Sequence, residues 1–425
     1  MPSILENVVN QIVRRGRIRL KSTVPLLLFL AAPSLALAQT ITSPAPGSTT
    51  VIKPWKEYAT HELRDAWDMG TRTDIGFFTW GIDAPASNMT GKKITTDTLG
   101  NSVFTGTPAT ADPSFFLLDP LFTSGAQLGK VGANYPINTS LYSHLLIKMR
   151  MANEAKAINF GSLGVNSPPQ MQVYWSRDSI FSSYSDPVNG RINGGQLTTV
   201  NGAGNQVGIP LSPITAGCDG FSAPCGSMEG GHYVVHVIPL KDIAALGTLG
   251  TGIARWRNVN DPSGDSDINW GASPSVTGDS IRIDPVQFGA SVTGAIDVDW
   301  VRLVAPEAAA PQTLSWSGGG SYDIVMSTHT DCGASGGDYG VIAYARVTGY
   351  QFYPQYWPNG TFYVGLRDKF TASSNADTPA NRVIRACSTA RFVVRDYPEL
   401  TFTSPNPLGS TDDFVTVHLN NPWDF

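Results

Sequence analysis

The sequence predicts an all-β protein made of a large and a smaller β-sandwich, and three observations carry that expectation. Charged residues make up only 15% of the 425-residue chain. Glycine (43) and proline (30) are abundant. Apolar residues recur in short alternating runs rather than at helical spacing, the pattern of short strands joined by turns. The one short helical candidate is Pro239–Leu246.

Residues 1–38 read as a secretory signal peptide. Arg14, Arg15, Arg17, Arg19 and Lys21 stand against a single acid, Glu6, and precede an apolar run from Val24 to Ala38 that is broken by Pro25 and Pro33. The run closes on Ala36-Leu37-Ala38 before Gln39, a small-x-small cleavage pattern. It is too short and too well terminated to span a bilayer, and no later stretch is long enough. The expected location is therefore secreted, extracellular or periplasmic. Residues 39–54 form a polar, Pro-rich leader expected to pack little.

From residue 55 to residue 306 the pattern is that of one large domain. Strand-like segments are Thr73–Trp80, Ser102–Thr105, Ser114–Leu118, Ser143–Met151, Gln170–Trp175, His232–Ile238, Asp279–Asp284 and Ala295–Val304. In the last, Ile296, Val298, Trp300 and Leu303/Val304 nearly alternate with Asp297, Asp299 and Arg302, which predicts a strand with one wet face. About ten strands with long glycine-rich loops fit a double-sheet jelly roll.

Three segments carry a resemblance. Ile296-Asp-Val-Asp299-Trp-Val-Arg302-Leu303, Tyr142-Ser-His-Leu-Leu-Ile-Lys-Met-Arg150 and Gln172-Val-Tyr-Trp175 resemble strands of the jelly-roll carbohydrate-binding modules found in secreted bacterial glycan-acting proteins. The likeness covers about 60 residues in pieces. It implies a polysaccharide or surface glycan as partner, and such modules often hold a structural calcium.

Pro306-Glu-Ala-Ala-Ala-Pro311 is a linker by composition. Beyond it, residues 311–405 form the smaller domain, with Trp316, Tyr322, Ile324 and Val364 expected on inner faces between two sheets. Thr313-Leu-Ser-Trp-Ser317, Tyr322-Asp-Ile-Val-Met326, Trp357-Pro-Asn-Gly-Thr-Phe-Tyr-Val-Gly-Leu-Arg367 and Cys387-Ser-Thr-Ala-Arg-Phe-Val-Val394 resemble the strand pattern of a fibronectin type III module. The aromatic insert Tyr350–Trp357 and two cysteines depart from that pattern.

Residues 411–425 read as the start of a truncated repeat. Phe414–Phe425 echoes Tyr58–Met69, both ending on Trp-Asp and an apolar residue. Val415, Val417 and Leu419 alternate with Thr416, His418 and Asn420, so the segment is expected to be a strand, open to self-association through its edge. Four cysteines follow the signal. In an oxidising compartment, local pairs Cys218–Cys225 and Cys332–Cys387 are the simplest of three connectivities.

Function is constrained mainly by exclusion. A net charge of −5 without a basic patch argues against a nucleic-acid partner. A glycosidase needs two carboxylates roughly 5–10 Å apart; Asp297 and Asp299 have alternate spacing and Asp284 is on another strand, but no Glu joins them. The histidines are scattered, and His236 inside Val-Val-His-Val-Ile reads as a core residue. No catalytic residue is assigned. Sugar binding is the better-supported chemistry, because flat rings stack on pyranose C–H faces while amides and charged groups bond the hydroxyls. Trp80, Tyr174, Trp175, Trp256 and Trp270 are the candidate platforms, with Trp67 and Trp300 assigned to the core. Asp261, Asp265 and Asp267 cluster oxygen ligands in a glycine-containing loop and form a loose calcium candidate; no other cofactor is implied. The leading expectation is a secreted, non-catalytic carbohydrate-binding protein. The alternatives are a structural surface protein or adhesin assembling through sandwich and edge-strand contacts, and the N-terminal part of a polysaccharide-degrading enzyme whose catalytic region is absent.

Overall fold

The structure is a computed structural model; it describes residues 39–75, 89–109, 113–118, 135–152, 158–159, 170–176, 195–200, 206–208, 227–228, 231–240, 253–258, 277–278, 280–287, 294–347, 349–369, 383–396, 400–402 and 417–419. The regular structure of the described residues is almost entirely strand, as the composition predicts. Their helical elements are a π-helical turn at Ala59–Leu63 and 3-10 turns at Arg72–Asp74 and Pro354–Tyr356. No helix among them is long and apolar enough to cross a membrane.

A twelve-stranded sheet organises the chain. Its order is Thr49–Ile52, Arg391–Val394, Gly360–Asp368, Tyr322–Ser327, Gly340–Arg346, Tyr233–Pro239, His144–Met151, Ile296–Ala305, Ser102–Pro108 and Met89–Thr96, with Ile384–Cys387 and Lys56–Glu57 attached beside it. The segment Ile296–Ala305 lies between His144–Met151 and Ser102–Pro108 and pairs antiparallel with the former along nearly its whole length.

One core lies between this sheet and a six-stranded sheet. Leu145, Ile147, Met149, Ile296, Val298, Val301 and Leu303 meet Phe115, Leu117, Val173, Ile281 and Ile283 there, all buried. The six-stranded sheet runs Gln206–Gly208, Gly195–Val200, Gln170–Ser176, Ser280–Gln287 and Phe115–Leu118, with Ile253–Asn258 pairing to Gly195–Val200.

A second core lies under a three-stranded sheet of Thr40–Ser43, Gln312–Ser317 and Tyr350–Phe352. Trp316, Ile324 and Val364 are buried in it and Tyr322 packs against it, as the alternation predicts. Leu146, Val235, Trp300 and Val304 belong to the same cluster. These four come from strands assigned to the first domain.

The linker at Pro306–Pro311 therefore does not mark a break in the hydrogen-bonded sheet. Tyr233–Pro239 and Gly340–Arg346 pair in parallel, through Tyr233 with Gly340 and Val234 with Val341. Gly340 permits this approach; a Cβ there would lie 2.9 Å from Val235 Cγ2. The face of Ile296–Ala305 expected to be wet is covered as well: Asp297 and Arg302 are buried. Alternation of charged and apolar residues reports two different faces, and here the charged face is buried against protein instead of water.

Three further expectations are corrected. The leader at 39–54 packs after all: Thr40–Ser43 pairs with Gln312–Ser317, Thr49–Ile52 pairs in parallel with Arg391–Val394, and Ile41 and Ile52 are buried. Two apolar residues in a polar stretch were enough to dock it. The segment that begins at Thr73 starts as a 3-10 turn, not a strand. Thr71 N–H and Oγ1 donate to the Asp74 carboxylate at 3.2 and 3.1 Å, a local bonding scheme that competes with a ladder. Tyr58–Met69 begins as a helical turn, whereas its C-terminal echo holds a strand at Val417–Leu419 that pairs with Leu400–Phe402.

Cys332 and Cys387 form the expected disulfide, with Cα atoms 5.6 Å apart. The bond closes a loop between residues 55 apart in sequence, so replacing both cysteines by alanine should cost about 2–4 kcal/mol. Urea denaturation of the double variant checks this; an unchanged midpoint would show that the bridge adds nothing. Cys218 and Cys225 lie outside the described residues.

Candidate functional site

Two polar features stand out where the strands of the first core meet those of the second. The first is a charged layer on the covered face of the central strands. Arg150, 2% exposed, reaches three groups: Nη2 lies 2.8 Å from Asp97, Nε and Nη2 lie 3.2 Å from Asp297 Oδ2, and Nη1 donates to Gly231 O at 3.0 Å. Tyr233 donates its hydroxyl to Asp97 at 2.6 Å and lays its ring 4.6 Å from the Arg150 guanidinium. Lys148 Nζ lies 2.6 Å from Asp299 and 2.5 Å from Asp338, bridging the two sides of the Pro306–Pro311 linker. Burial opposes the charge on Lys148, but the two carboxylates outweigh it and raise its pKa. Burial also raises the Asp299 pKa, against the pull of Lys148.

This layer settles the roles of the paired aspartates. Asp297 and Asp299 are each committed to a different cation, and a bulge between Val298 and Trp300 interrupts their period. They hold the sheet together. His236 is likewise a core residue, 1% exposed, and burial lowers its pKa to about 3.

The second feature is a cleft of about 270 Å³ at the same junction. Its lining includes Trp55, Glu57, His61, Trp67, Asp68, Trp300, Arg302, Asn359 and Asp396. Trp55 is fixed by ring contacts to Tyr353 and Tyr356 at 5.6 and 4.5 Å and by its backbone N–H donating to Gln355 O at 3.0 Å. Trp67 is fixed by Tyr58 at 5.7 Å and by Val301 N–H on its carbonyl at 2.9 Å. The indoles of Trp55, Trp67 and Trp300 are mostly buried, at 6%, 1% and 7% exposed. They are core residues that also line an opening.

The polar groups of the cleft differ in how far they are engaged. Glu57 is occupied: its carboxylate accepts from Ala59 N at 2.9 Å, Thr60 N at 2.7 Å and Leu303 N at 3.4 Å. His61 Nε2 stands 3.8 Å from Asp396 Oδ2. Burial, and then nearby Lys56, pull the imidazole below its ordinary value, so His61 is neutral at pH 7. Arg302 is 8% exposed, burial lowers its pKa to about 10, and its Nη1 has no hydrogen-bond partner. The Nε1 of Trp67 is buried without a partner too. A buried donor left unbonded costs about 1–3 kcal/mol, and both atoms are closed off from solvent, so neither is offered to the opening.

The residues singled out from the sequence fall elsewhere. Tyr174, Trp175 and Trp256 lie on strands of the six-stranded sheet, with Tyr174 opposite Gln196 and Arg282, Trp175 opposite Gly195 and Ile281, and Trp256 opposite Leu197. Their side chains, and the whole of Trp80, Trp270, Asp261, Asp265 and Asp267, lie outside the described residues. Among the described residues no group of three His, Cys, Asp or Glu side chains is placed to hold a metal. Sequence reasoning missed the cleft because its lining comes from segments more than 300 residues apart, such as Trp55 and Asp396. The one available signal was the pattern Trp300-Val-Arg302, read as a structural strand, which it also is.

No protein family matches the chain by sequence, and no curated protein matches it. Among solved structures, the chain is similar to the glycoside hydrolase domain of Endo-D from Streptococcus pneumoniae at 8% identity, over 72% of this chain and 36% of that one. The chain thus spans about a third of that structure's length. The TM-score is 0.22, a level that establishes neither a shared fold nor a shared activity.

Proposed function

We propose that this is an exported, non-catalytic carbohydrate-binding protein and that the cleft beside Trp67 and Arg302 is its sugar site. One observation carries the reading: a single opening is lined by Trp55, Trp67 and Trp300, whose rings are largely buried, together with Asn359, Asp68 and Asp396, polar side chains of the kind that bond sugar hydroxyls. Its volume of about 270 Å³ falls just below the range of ligand pockets, roughly 300–1,000 Å³, which suits one ring of a longer chain. The jelly-roll and fibronectin-like readings of the two parts, and a structural calcium at Asp261, Asp265 and Asp267, belong to the same proposal.

The test is binding of the purified full chain to a panel of soluble and insoluble polysaccharides. Indole fluorescence reports occupancy and a reducing-end assay reports cleavage. Binding with a fluorescence change and no new reducing ends is expected. Failure to bind any polysaccharide would remove the reading, and release of reducing ends would replace it with the enzymatic one.

A further inference from the structure

We propose that Lys148 Nζ condenses with the side-chain carboxyl of Asp338 to form an intramolecular amide, with Asp299 as the catalytic acid and base. This modification site is independent of the sugar cleft. Nζ stands 2.5 Å from Asp338 Oδ2 and 2.6 Å from Asp299 Oδ2, and all three side chains are largely buried. The Asp338 carboxyl carbon is at most one C–O bond further from Nζ, close to the roughly 3–3.5 Å at which well-placed groups react. Each group is held by a different part of the sheet. Lys148 belongs to His144–Met151, and its Nζ lies 4.7 Å from the centre of the Tyr233 ring. Asp299 sits at the bulge between Val298 and Trp300. Asp338 stands two residues before Gly340–Arg346, and Ser327 Oγ donates to its backbone carbonyl.

An ion pair alone is a poor account of this cluster. With both carboxyls ionised it would hold a net negative charge out of water, and burial accordingly raises the Asp299 pKa, which keeps a proton there. Asp338 Oδ1 is buried without a hydrogen-bond partner. Condensation removes both costs, because an amide is neutral and needs no counter-ion. The step balances within the three side chains. The Asp338 carboxylate takes one proton from the Lys148 ammonium, which frees the nitrogen lone pair and leaves a neutral carboxyl. The lone pair attacks Cγ and the C–N bond forms. Asp299 gives its proton to the departing hydroxyl and takes one from the nitrogen; the C–O bond breaks and water leaves. Nothing is oxidised or reduced. Free groups in water do not condense in this way, but holding a pair in place is worth effective molarities of about 10⁵–10⁸ M. The product would tie together residues 190 positions apart, across the strand Tyr233–Pro239 that lies between theirs.

Intact-mass spectrometry of the purified full chain, reduced and denatured, reads the product directly. The mass should lie one water below that calculated from the determined N-terminus. A protease digest should contain one branched peptide joining Lys148 to Asp338. K148R and D338A should each restore the full mass. D299N should accumulate the linked form about 10²-fold more slowly after expression, the lower end of what a positioned acid–base group contributes. Circular dichroism shows which variants fold; the wild-type mass and digest decide the matter even where a variant does not. A wild-type chain of unreduced mass would overturn the proposal, as would a branch through Asp299 in place of Asp338 or a water loss that survives K148R. Linkage in D299N at the wild-type rate would overturn the role given to Asp299.

Discussion

Replacing Arg150 by methionine should destabilise the protein by about 3–5 kcal/mol, the cost of breaking a buried ion pair from one side. The side chain is 2% exposed and serves Asp97, Asp297 and the carbonyl of Gly231 at once. Without it, Asp297 is left at 4% exposure with no guanidinium to offset its desolvation, and Tyr233 loses the cation over its ring. Asp97 keeps the Tyr233 hydroxyl and the backbone N–H groups of Leu99 and Asn101, so the stranded charge is chiefly that of Asp297. The measurement is urea denaturation followed by indole fluorescence. Adding D297N to R150M should recover a large part of the loss, because a neutral amide replaces the unpaired charge. A loss below 1 kcal/mol for R150M would mean that the layer is wetter than described.

The second large effect is on the pH dependence of stability. Asp74 is 1% exposed, and burial raises its pKa to about 7 despite the two hydrogen bonds from Thr71; Asp65 and Asp68 add to the rise. The folded protein therefore holds a proton that the unfolded chain releases near pH 3.8. Between those values the native state binds more protons, so stability falls as pH rises through the window, by up to about 4 kcal/mol at roughly 1.4 kcal/mol per unit. Asp299 is shifted in the same direction by burial. Asp97 has the opposite sign: its pKa is lowered, so its contribution is present above the unfolded value and lost as pH falls below it. D74N should remove most of the decline between pH 4 and pH 7 while keeping the cap through its amide oxygen. Stability that is flat over this range in the wild type, or a D74N variant with the same slope, would contradict the assignment.

The strands themselves were legible in the sequence because period-two alternation is a local property. Ser143–Met151, Gln170–Trp175 and Ala295–Val304 each appear within a residue or two of the predicted limits. The cysteine pair Cys332–Cys387 followed from compartment and proximity in sequence. What alternation could not reveal is the identity of the layer that covers a face. Asp297 and Asp299 look like a solvated edge until Arg150, 147 positions from Asp297, and Lys148 are brought beside them by a neighbouring strand. For the same reason Ile41 and Ile52 looked like incidental apolar residues in a leader, yet they dock in the second core. The cleft was illegible for a further reason: Trp67 and Trp300 are core residues by burial, and only their meeting with Pro358, Asn359 and Asp396 makes them line an opening.

The central claim is that one continuous sheet joins the two cores and that a sugar binds at their junction. Differential scanning calorimetry of the full chain, with and without a saturating oligosaccharide, tests both parts at once. The account predicts a single unfolding transition that moves to higher temperature when the sugar is present, since a ligand bound only by the folded chain stabilises it. Two separate transitions, or one transition that saturating sugar leaves in place, would contradict it.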